Sequence, residues 1–280
     1  MLAEPFKQAG ELLAQYAVPL YKADRYKGTV QVGTGFIVKV SGCAFLVTAA
    51  HVLDLGDDPE SRLFYFVNDI VIRDVDGMVM RTAAPQGRDA DKIDVGVVLL
   101  QDNYRHPLKK IAVDVHSLFP RMTPRSGHSY IVVGFPETKN RAHRVHKHIP
   151  ESGYGYHTHS EDASIYGAAG VSEESHILLS FERELGKGND GHPMIFPDPH
   201  GMSGAPIWLV PEDGDNETKW KYGFPIVGIA TRHLKRTKQI LGTDISVATT
   251  FIGDLLTLRP TLTRSPAAPF QRRPLCSLFG

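Results

Sequence analysis

The chain has 280 residues, of which 42% are hydrophobic, and it carries 31 acidic and 31 basic residues. This length and apolar content allow a large core, either in one all-β domain or in two lobes that share a cleft. Because the charges balance, long-range attraction of nucleic acid or of an anionic membrane is excluded, so neither is expected as a partner.

The first segment, 4–21, predicts an amphipathic helix that packs on the outside of the domain. Several of its apolar residues recur at intervals of three and four residues, and the helix would end before Pro19. Glu4, Lys7 and Glu11 interrupt the apolar residues, so we expect neither a signal segment nor a membrane span here. We interpret 1–27 as an N-terminal helical extension.

From Gly28 the pattern changes to short apolar runs that are separated by glycines and serines. Runs of this length, rich in valine, isoleucine and phenylalanine, are typical of β-strands. Many short strands with turns between them predict an all-β barrel or sandwich. The predicted strands lie at 30–32, 35–40, 44–48, 64–66, 70–72, 95–100, 130–133, 176–181, 205–210 and 225–230.

Two polar stretches interrupt these strands. The first, 118–127, contains prolines and a glycine, and we interpret it as the crossover between an N-terminal unit, 28–117, and a C-terminal unit, 118–258. The second, 137–175, is too long for an ordinary hairpin connection. Its histidines could bind zinc, but they lack a helical pair with an acidic partner and have no cysteine nearby. A solvated, functional or mobile loop without metal is therefore favoured for His143, His146, His148, His157 and His159.

The C-terminal part predicts a short helix at 251–256, followed by a loosely ordered tail, 259–280, that is rich in proline and arginine. The chain has only two cysteines, Cys43 and Cys276. Because secreted proteins of comparable architecture usually carry several disulfides, a reducing, cytoplasmic location is expected.

Three segments carry a candidate nucleophile, base and orienting carboxylate. Ser203 lies in Gly201-Met202-Ser203-Gly204, His51 follows the apolar run 45–48, and Asp94 precedes the apolar run 95–100. A serine hydroxyl needs an imidazole to accept its proton, and the imidazole needs a carboxylate that orients it. Asp91 and Asp102 are alternative carboxylates, but Asp91 is expected in a solvated loop with charged neighbours, so Asp94 is favoured.

The glycines beside Ser203 predict an oxyanion site. Acyl transfer develops a negative oxygen, and backbone N–H groups must point at that oxygen. Gly201 and Gly204 allow the tight turn and the close substrate approach that a side chain would obstruct. We predict that the amides of Gly201 and Ser203 stabilise the oxyanion.

These motifs resemble those of the trypsin-like, chymotrypsin-fold serine peptidases, in the order His, Asp, Ser. The resemblance covers roughly 30–256 and includes Gly33-Thr34-Gly35-Phe36 before the histidine. It implies two six-stranded antiparallel β-barrels and a serine endopeptidase that acts on protein or peptide substrates and needs no cofactor. An α/β-hydrolase is disfavoured because Ala205 replaces the second glycine of its serine motif.

One departure from the family concerns activation. Met202 stands where extracellular trypsins carry an aspartate that pairs with a newly cut N-terminus, so that route of activation is not expected. The site would be preformed or gated by another element, including an activating protein partner. The alternative reading is a catalytically silent or partner-activated binding module on a peptidase fold.

The resemblance implies that the primary substrate pocket is lined by two segments, 195–200 and 230–234. The deciding position in the family corresponds to Pro197, while Asp198 either holds a basic side chain or serves as a turn residue. The edge 230–232 would pair with an extended substrate by β-augmentation. The expected substrate-binding residues are Pro197, Asp198, His200, Ala230, Thr231 and Arg232.

Overall fold

The computed structural model describes residues 12–24, 28–66, 72–101, 112–119, 127–139, 153–185, 194–210 and 224–262. His143, His146 and His148, Asp102 and most of the predicted tail lie outside these residues. No helix within the described ranges combines the length and the apolar character needed to cross a membrane.

The first sheet is antiparallel except for one short parallel pair, and it contains eight strands among the described residues. Its order is β5-β4-β1-β2-β3-β7-β6, and β8 pairs with β2 in parallel. The central strands carry valine, leucine, isoleucine and phenylalanine, which bury well on a pleated surface. The strands are β1 (Ala17–Asp24), β2 (Gly28–Val40), β3 (Cys43–Ala49), β4 (Ser61–Phe66), β5 (Ile72–Asp74), β6 (Gly77–Arg81), β7 (Val95–Leu100) and β8 (Val113–Asp114).

The second sheet is a six-stranded antiparallel sheet with the order β10-β9-β12-β13-β14-β11. Leu118, at the start of the predicted crossover, already bridges to Ile226 of this sheet. The strands are β9 (Ser129–Gly134), β10 (Tyr154–His159), β11 (His176–Ser180), β12 (Pro206–Val210), β13 (Ile226–Leu234) and β14 (Gln239–Asp244).

The α-helices that follow the first strand in the described part of the chain are α1 (Ala50–Asp54), α2 (Ala163–Ala168) and α3 (Ser246–Leu262), and residues 12–14 before that strand are also helical. Helix α3 is longer than the predicted 251–256. Its buried residues Ala248, Ile252 and Leu255 follow helical spacing and join a core cluster with Val95 and Val97 of the first sheet. The helix therefore links the end of the second sheet to the core of the first.

The two sheets share one apolar core. Phe45 and Val97 of the first sheet belong to the same buried cluster as Ile131, Trp208 and Ile226 of the second. Burial of this apolar surface is the main favourable term that holds the two sheets together. The predicted all-β fold, with two curled antiparallel sheets, is confirmed.

The predicted N-terminal helix is wrong from Ala17 onward. Residues 17–24 form β1, which pairs with β2 on one side and β4 on the other. Residues 17–21 are all buried, so both faces of this strand lie against the core and its apolar residues do not alternate with polar ones. Their spacing therefore resembled that of a helix. In the described part of the chain the first sheet has eight strands instead of the expected six, and residues 17–24 of the predicted extension belong to it.

The predicted loop 137–175 is largely regular structure where it is described. Strand β10 pairs with β9 along its whole length, and α2 follows it. His157 and His159 are exposed on β10, while Tyr156 and Thr158, which alternate with them, are buried. The sequence prediction failed here because an edge strand with one polar face contains few of the apolar residues that mark a strand.

Candidate active site

His51 and Asp94 are brought together where β3 and β7 lie side by side. Strand β3 ends at Ala49, and His51 is the second residue of α1. Its Nδ1 lies 2.6 Å from Oδ2 of Asp94, and its backbone N–H donates to Oδ1 at 2.9 Å. The Asp94 side chain is 1% exposed, whereas that of His51 is 35% exposed. The Asp94 carboxylate therefore orients both the ring and the backbone N–H of His51, whose side chain is partly exposed to solvent.

Asp94 also closes the beginning of α1. The residue before the helix, Ala49, has no side chain that could cap it. The Ala50 amide donates to the Asp94 backbone carbonyl at 3.0 Å, so Asp94 satisfies two of the otherwise unpaired N–H groups. Asp94 has a φ of 49°, a left-handed conformation that aspartate tolerates better than most residues.

The loop that carries Asp94 is organised by Asp91. Its Oδ1 accepts the amides of Ile93 and Asp94, and its Oδ2 accepts the Thr82 hydroxyl at 2.5 Å and Arg88 at 2.6 Å. The Asp91 side chain is 6% exposed, so the expectation of a solvated carboxylate is wrong. The charged neighbours in the sequence suggested exposure, but Arg88 turns inward and pairs with this carboxylate.

The same hydrogen bonds shift the pKa values of Asp91 and Arg88. Burial alone would raise the pKa of Asp91, but the bonds from Thr82, the Asp94 amide and Arg88 outweigh it and lower the pKa. The hydrogen bond with Asp54 is the main reason why the pKa of Arg88 is raised. Both groups therefore stay charged and paired over the ordinary pH range.

The backbone of the serine loop leaves two N–H groups unused. Within the described residues, the amides of Gly201 and Ser203 have no hydrogen-bond acceptor. Gly201 has a φ of 91°, which only glycine adopts easily. A Cβ at this position would lie 2.8 Å from the Glu137 nitrogen. The neighbouring amides are all paired: Met202 with the Pro199 carbonyl at 2.9 Å, Gly204 with Ala230 at 2.7 Å, and Ala205 with Met202 at 2.9 Å.

The Ser203 hydroxyl points to a backbone carbonyl of the second sheet. Its Oγ donates to the Thr231 carbonyl at 3.3 Å, and in the described part of the chain it makes no hydrogen bond to His51. Thr231 is the extra residue of a bulge in β13, between partners Ala230 and Arg232. A bulge redirects backbone groups, and here it turns a carbonyl toward the serine.

Solved structures with the same architecture are trypsin-like serine proteases. Neuropsin, a serine protease expressed in the limbic system of mouse brain, matches with a TM-score of 0.55 and 14% identity, over 87% of this chain and 95% of its own. Granzyme C matches with a TM-score of 0.55 and 13% identity, over the same shares. The chain has the trypsin-like fold. No protein-family model and no curated protein sequence matches it.

In this trypsin-like fold, His51 and Ser203 border one cleft of about 810 Å³. The cleft brings together most of the predicted substrate-binding residues, but Pro197 does not line it. Sequence reasoning missed several lining residues that come from distant segments. The additional charged or imidazole side chains are Asp54, Arg88, Asp89, Glu137, His233 and Lys235.

Two of the predicted substrate-binding residues have other partners. Arg232 donates to the backbone carbonyls of Asp89, Arg88 and Asp91 at 2.8, 3.4 and 3.3 Å, so it ties β13 to the loop that carries Asp94. The backbone N–H and C=O of Ala230 both bond to the serine loop. The Ala230 N–H is therefore not free to donate to an extended substrate in this conformation.

The negative charge of Asp198 in the cleft is partly balanced by two nearby cations. Its Oδ1 accepts the His200 amide at 3.1 Å, and Oδ2 lies 4.0 Å from Arg183 and 3.9 Å from Lys235. Burial alone would raise the pKa of Asp198, but the His200 amide and the two cations lower it. His200 itself is exposed and pairs with Glu137 at 3.2 Å.

His233 is a neighbour of Asp198 that the sequence did not point to. Its ring lies edge-on to Phe181, with centroids 5.1 Å apart. Burial lowers the pKa of His233, against the opposing effect of Asp198. The neutral ring is therefore favoured near pH 7. Within the described residues no group of three or more histidine, cysteine, aspartate or glutamate side chains is arranged to hold a metal ion.

Proposed function

We propose that this protein is a serine endopeptidase in which Ser203 is the nucleophile, His51 the general base and Asp94 the orienting carboxylate. The observation that carries this proposal is the pairing of the serine-loop amides. Among 201–205, only Gly201 and Ser203 keep a free N–H within the described residues, and Ser203 borders the same cleft as His51. Stabilising an oxyanion requires backbone N–H groups that no protein acceptor occupies.

The proposed reaction follows from the protonation of the two ring nitrogens. In the tautomer that Asp94 favours, Nδ1 keeps its hydrogen and donates a hydrogen bond to the carboxylate, so Nε2 carries the lone pair that accepts the Ser203 proton. The Ser203 oxygen then forms a bond with the scissile carbonyl carbon, and the carbonyl oxygen becomes an oxyanion beside the amides of Gly201 and Ser203. His51 returns the proton to the leaving amine, and water hydrolyses the acyl-enzyme by the same steps.

Attack requires the serine hydroxyl to leave Thr231. The bond to the Thr231 carbonyl, at 3.3 Å, is long for an O–H donor and is therefore weak. Rotation of one side-chain torsion exchanges this acceptor for another, and such rotations take picoseconds to nanoseconds in exposed side chains. The resting position of Ser203 thus supports a site whose nucleophile is aligned on binding.

The hydrogen bond from the Ser203 hydroxyl to the Thr231 carbonyl also favours one competing function. If the hydroxyl stays on Thr231 in every condition, the fold would serve as a silent or partner-activated binding module. In either case we expect a protein or peptide as the bound molecule. A strong preference for basic side chains is not expected, because Arg183 and Lys235 already lie beside Asp198.

Labelling with a fluorophosphonate probe tests the proposal. The wild-type protein should be modified at Ser203, as located by mass spectrometry, and Ser203→Ala should not be modified. Ser180→Ala, which removes a hydroxyl from β11, is the matched control and should label at the wild-type rate. If the wild type does not react under any condition, including addition of candidate partner proteins, the peptidase proposal is wrong.

A further inference from the structure

Two buried polar residues of β2, Gln31 and Thr34, reach across to the serine loop, although neither was among the predicted site residues. Their exposed fractions are 2% and 0%. The Thr34 hydroxyl donates to the Gly201 carbonyl at 2.8 Å and accepts the Phe135 amide at 3.1 Å. Gln31 Nε2 donates to the same Gly201 carbonyl at 3.0 Å.

The orientation of the Gly201 N–H depends on the two peptide units that flank this residue. One unit holds the His200 carbonyl and the Gly201 N–H, and the other holds the Gly201 carbonyl. The Glu137 amide donates to the His200 carbonyl at 2.8 Å, so the Gly201 N–H points the opposite way, because a trans peptide directs its two groups to opposite sides. Because glycine accepts many backbone conformations, steric contacts do not fix the orientation of the Gly201 N–H. The hydrogen bonds to the flanking carbonyls fix it.

Thr34 contributes more to this arrangement than Gln31 does. Its own N–H donates to the Ser203 carbonyl at 2.8 Å, so one residue holds the loop on both sides of Met202. Gln31 Nε2 has two hydrogens but lies within hydrogen-bond distance of three carbonyls, those of Gly33, Phe135 and Gly201. The side-chain oxygen of Gln31, Oε1, is buried without a partner in the described structure. Thr34 is therefore the better-matched donor.

Met202 explains why such a device is needed. Its side chain is buried in the apolar cluster of the second sheet, together with Phe196 and Ala205. A thioether offers no charge, so an ion pair at this position cannot hold the loop. Hydrogen bonds from the first sheet then add to the packing of Met202 and to the bonds with Ala230 in keeping the loop in one conformation.

We propose that Thr34 is a positioning residue that keeps the oxyanion site formed by bonding the Gly201 carbonyl to the first sheet. This rests on the proposed function, because the site is read out through Ser203 chemistry. Loss of the Thr34 hydroxyl removes one acceptor from the Phe135 amide and one of the two donors from the Gly201 carbonyl. The peptide between His200 and Gly201 then turns more easily, and its N–H leaves the oxyanion site.

The test compares Thr34→Val, which keeps the shape but lacks the hydroxyl, with Thr34→Ser, which keeps the hydroxyl. Thr158→Val is the matched control, because the Thr158 hydroxyl is also buried and bonds the Ser180 carbonyl at 2.5 Å, away from the cleft. The rate of fluorophosphonate labelling should fall about 10- to 100-fold in Thr34→Val, somewhat less than for removal of a whole oxyanion donor. Thr34→Ser and Thr158→Val should stay within about 3-fold of wild type.

A second measurement separates positioning from general damage. The low-field NMR signal of the His51 Nδ1 proton reports the bond to Asp94 and should be unchanged in Thr34→Val. Wild-type labelling of Thr34→Val overturns the proposal and leaves the peptidase function standing. Slow labelling in Thr34→Ser as well, or loss of the His51 signal, also overturns it, because the damage is then not specific to the hydroxyl.

If the wild type does not label, the proposed peptidase function fails, and crystal structures decide the role of Thr34. A turned His200–Gly201 peptide in Thr34→Val, with the wild-type orientation kept in Thr34→Ser, supports the positioning role. An unchanged peptide in Thr34→Val overturns it.

Discussion

The His51–Asp94 pair and the serine loop differ in how completely their hydrogen bonds are made. The imidazole and carboxylate already lie 2.6 Å apart, within one sheet and between adjacent strands. The serine loop is held by backbone hydrogen bonds that leave the Gly201 and Ser203 amides free within the described residues, and the Ser203 hydroxyl donates to the Thr231 carbonyl at 3.3 Å. The proposed base is thus already paired with its carboxylate, whereas the proposed nucleophile does not yet bond to the base. Activity in this protein should therefore be most sensitive to changes in the pair and in the support of the loop.

The largest expected effect tests the preassembled half. Asp94→Asn keeps the shape of the side chain but presents an amide to a ring that needs a carboxylate, so the imidazole loses its orientation and charge stabilisation. Fluorophosphonate labelling should fall by about 10⁴-fold, as expected for loss of this group in a triad. Asp254→Asn, an exposed change on α3, should have no effect. Labelling of Asp94→Asn within about 10-fold of wild type would exclude Asp94 as the orienting group.

The backbone of the serine half is tested by Gly204→Ala. A Cβ at this glycine would lie 2.0 Å from the Thr34 carbonyl and 2.2 Å from the Thr48 hydroxyl, and its φ is 90°. Overpacking and strain together should lower the free energy of unfolding by about 3 kcal/mol or more. Gly253→Ala is the matched control, because nothing lies within 4 Å and the site is helical. Chemical denaturation should show Gly253→Ala equal to or more stable than wild type.

The support of Asp94 is tested by Asp91→Asn. This change removes a charged partner of Arg88 and weakens the bonds to the amides of Ile93 and Asp94, so stability at pH 7 should fall by about 1–3 kcal/mol.

The pH dependence of the same variant has a defined sign. The pKa of Asp91 is lowered in the folded protein, so the unfolded chain binds its proton first as pH falls. The contribution of Asp91 is present above the unfolded value near 3.8 and disappears as pH falls through the folded pKa. Denaturation between pH 2 and 7 should therefore show a smaller acid loss of stability in Asp91→Asn. Parallel curves would contradict the role assigned to this carboxylate.

The smallest expected effect concerns the link between the two halves. Arg232→Ala removes bonds to three backbone carbonyls of the loop that carries Asp94, and these carbonyls can turn to water instead. Labelling should slow by about 3- to 10-fold, corresponding to about 1 kcal/mol. Arg236→Ala removes an exposed guanidinium from the turn after β13 and serves as the control. An Arg232→Ala protein with wild-type labelling but altered peptide preference would return Arg232 to substrate binding.

Several parts of the fold could be predicted because their signals are local. The apolar runs at 44–48, 95–100 and 205–210 correspond to β3, β7 and β12, since each run needs burial wherever the strand lies. Strand β1 was missed because burial on both faces removes the alternation that identifies a strand, and β10 was missed because its buried face carries Tyr156 and Thr158 and no aliphatic residue.

The sequence alone determined which residues could act chemically, in what order they occur, and that the chain is built from short strands. The tertiary structure decided how they are held: Thr34 bonds Gly201 across 167 residues, and Arg232 bonds Asp89 across 143. It also placed Asp91 inside and turned Ser203 toward Thr231. Such contacts join residues that are distant in the sequence. The side chains bond to backbone carbonyls, which every residue has, so a sequence pattern does not predict these contacts.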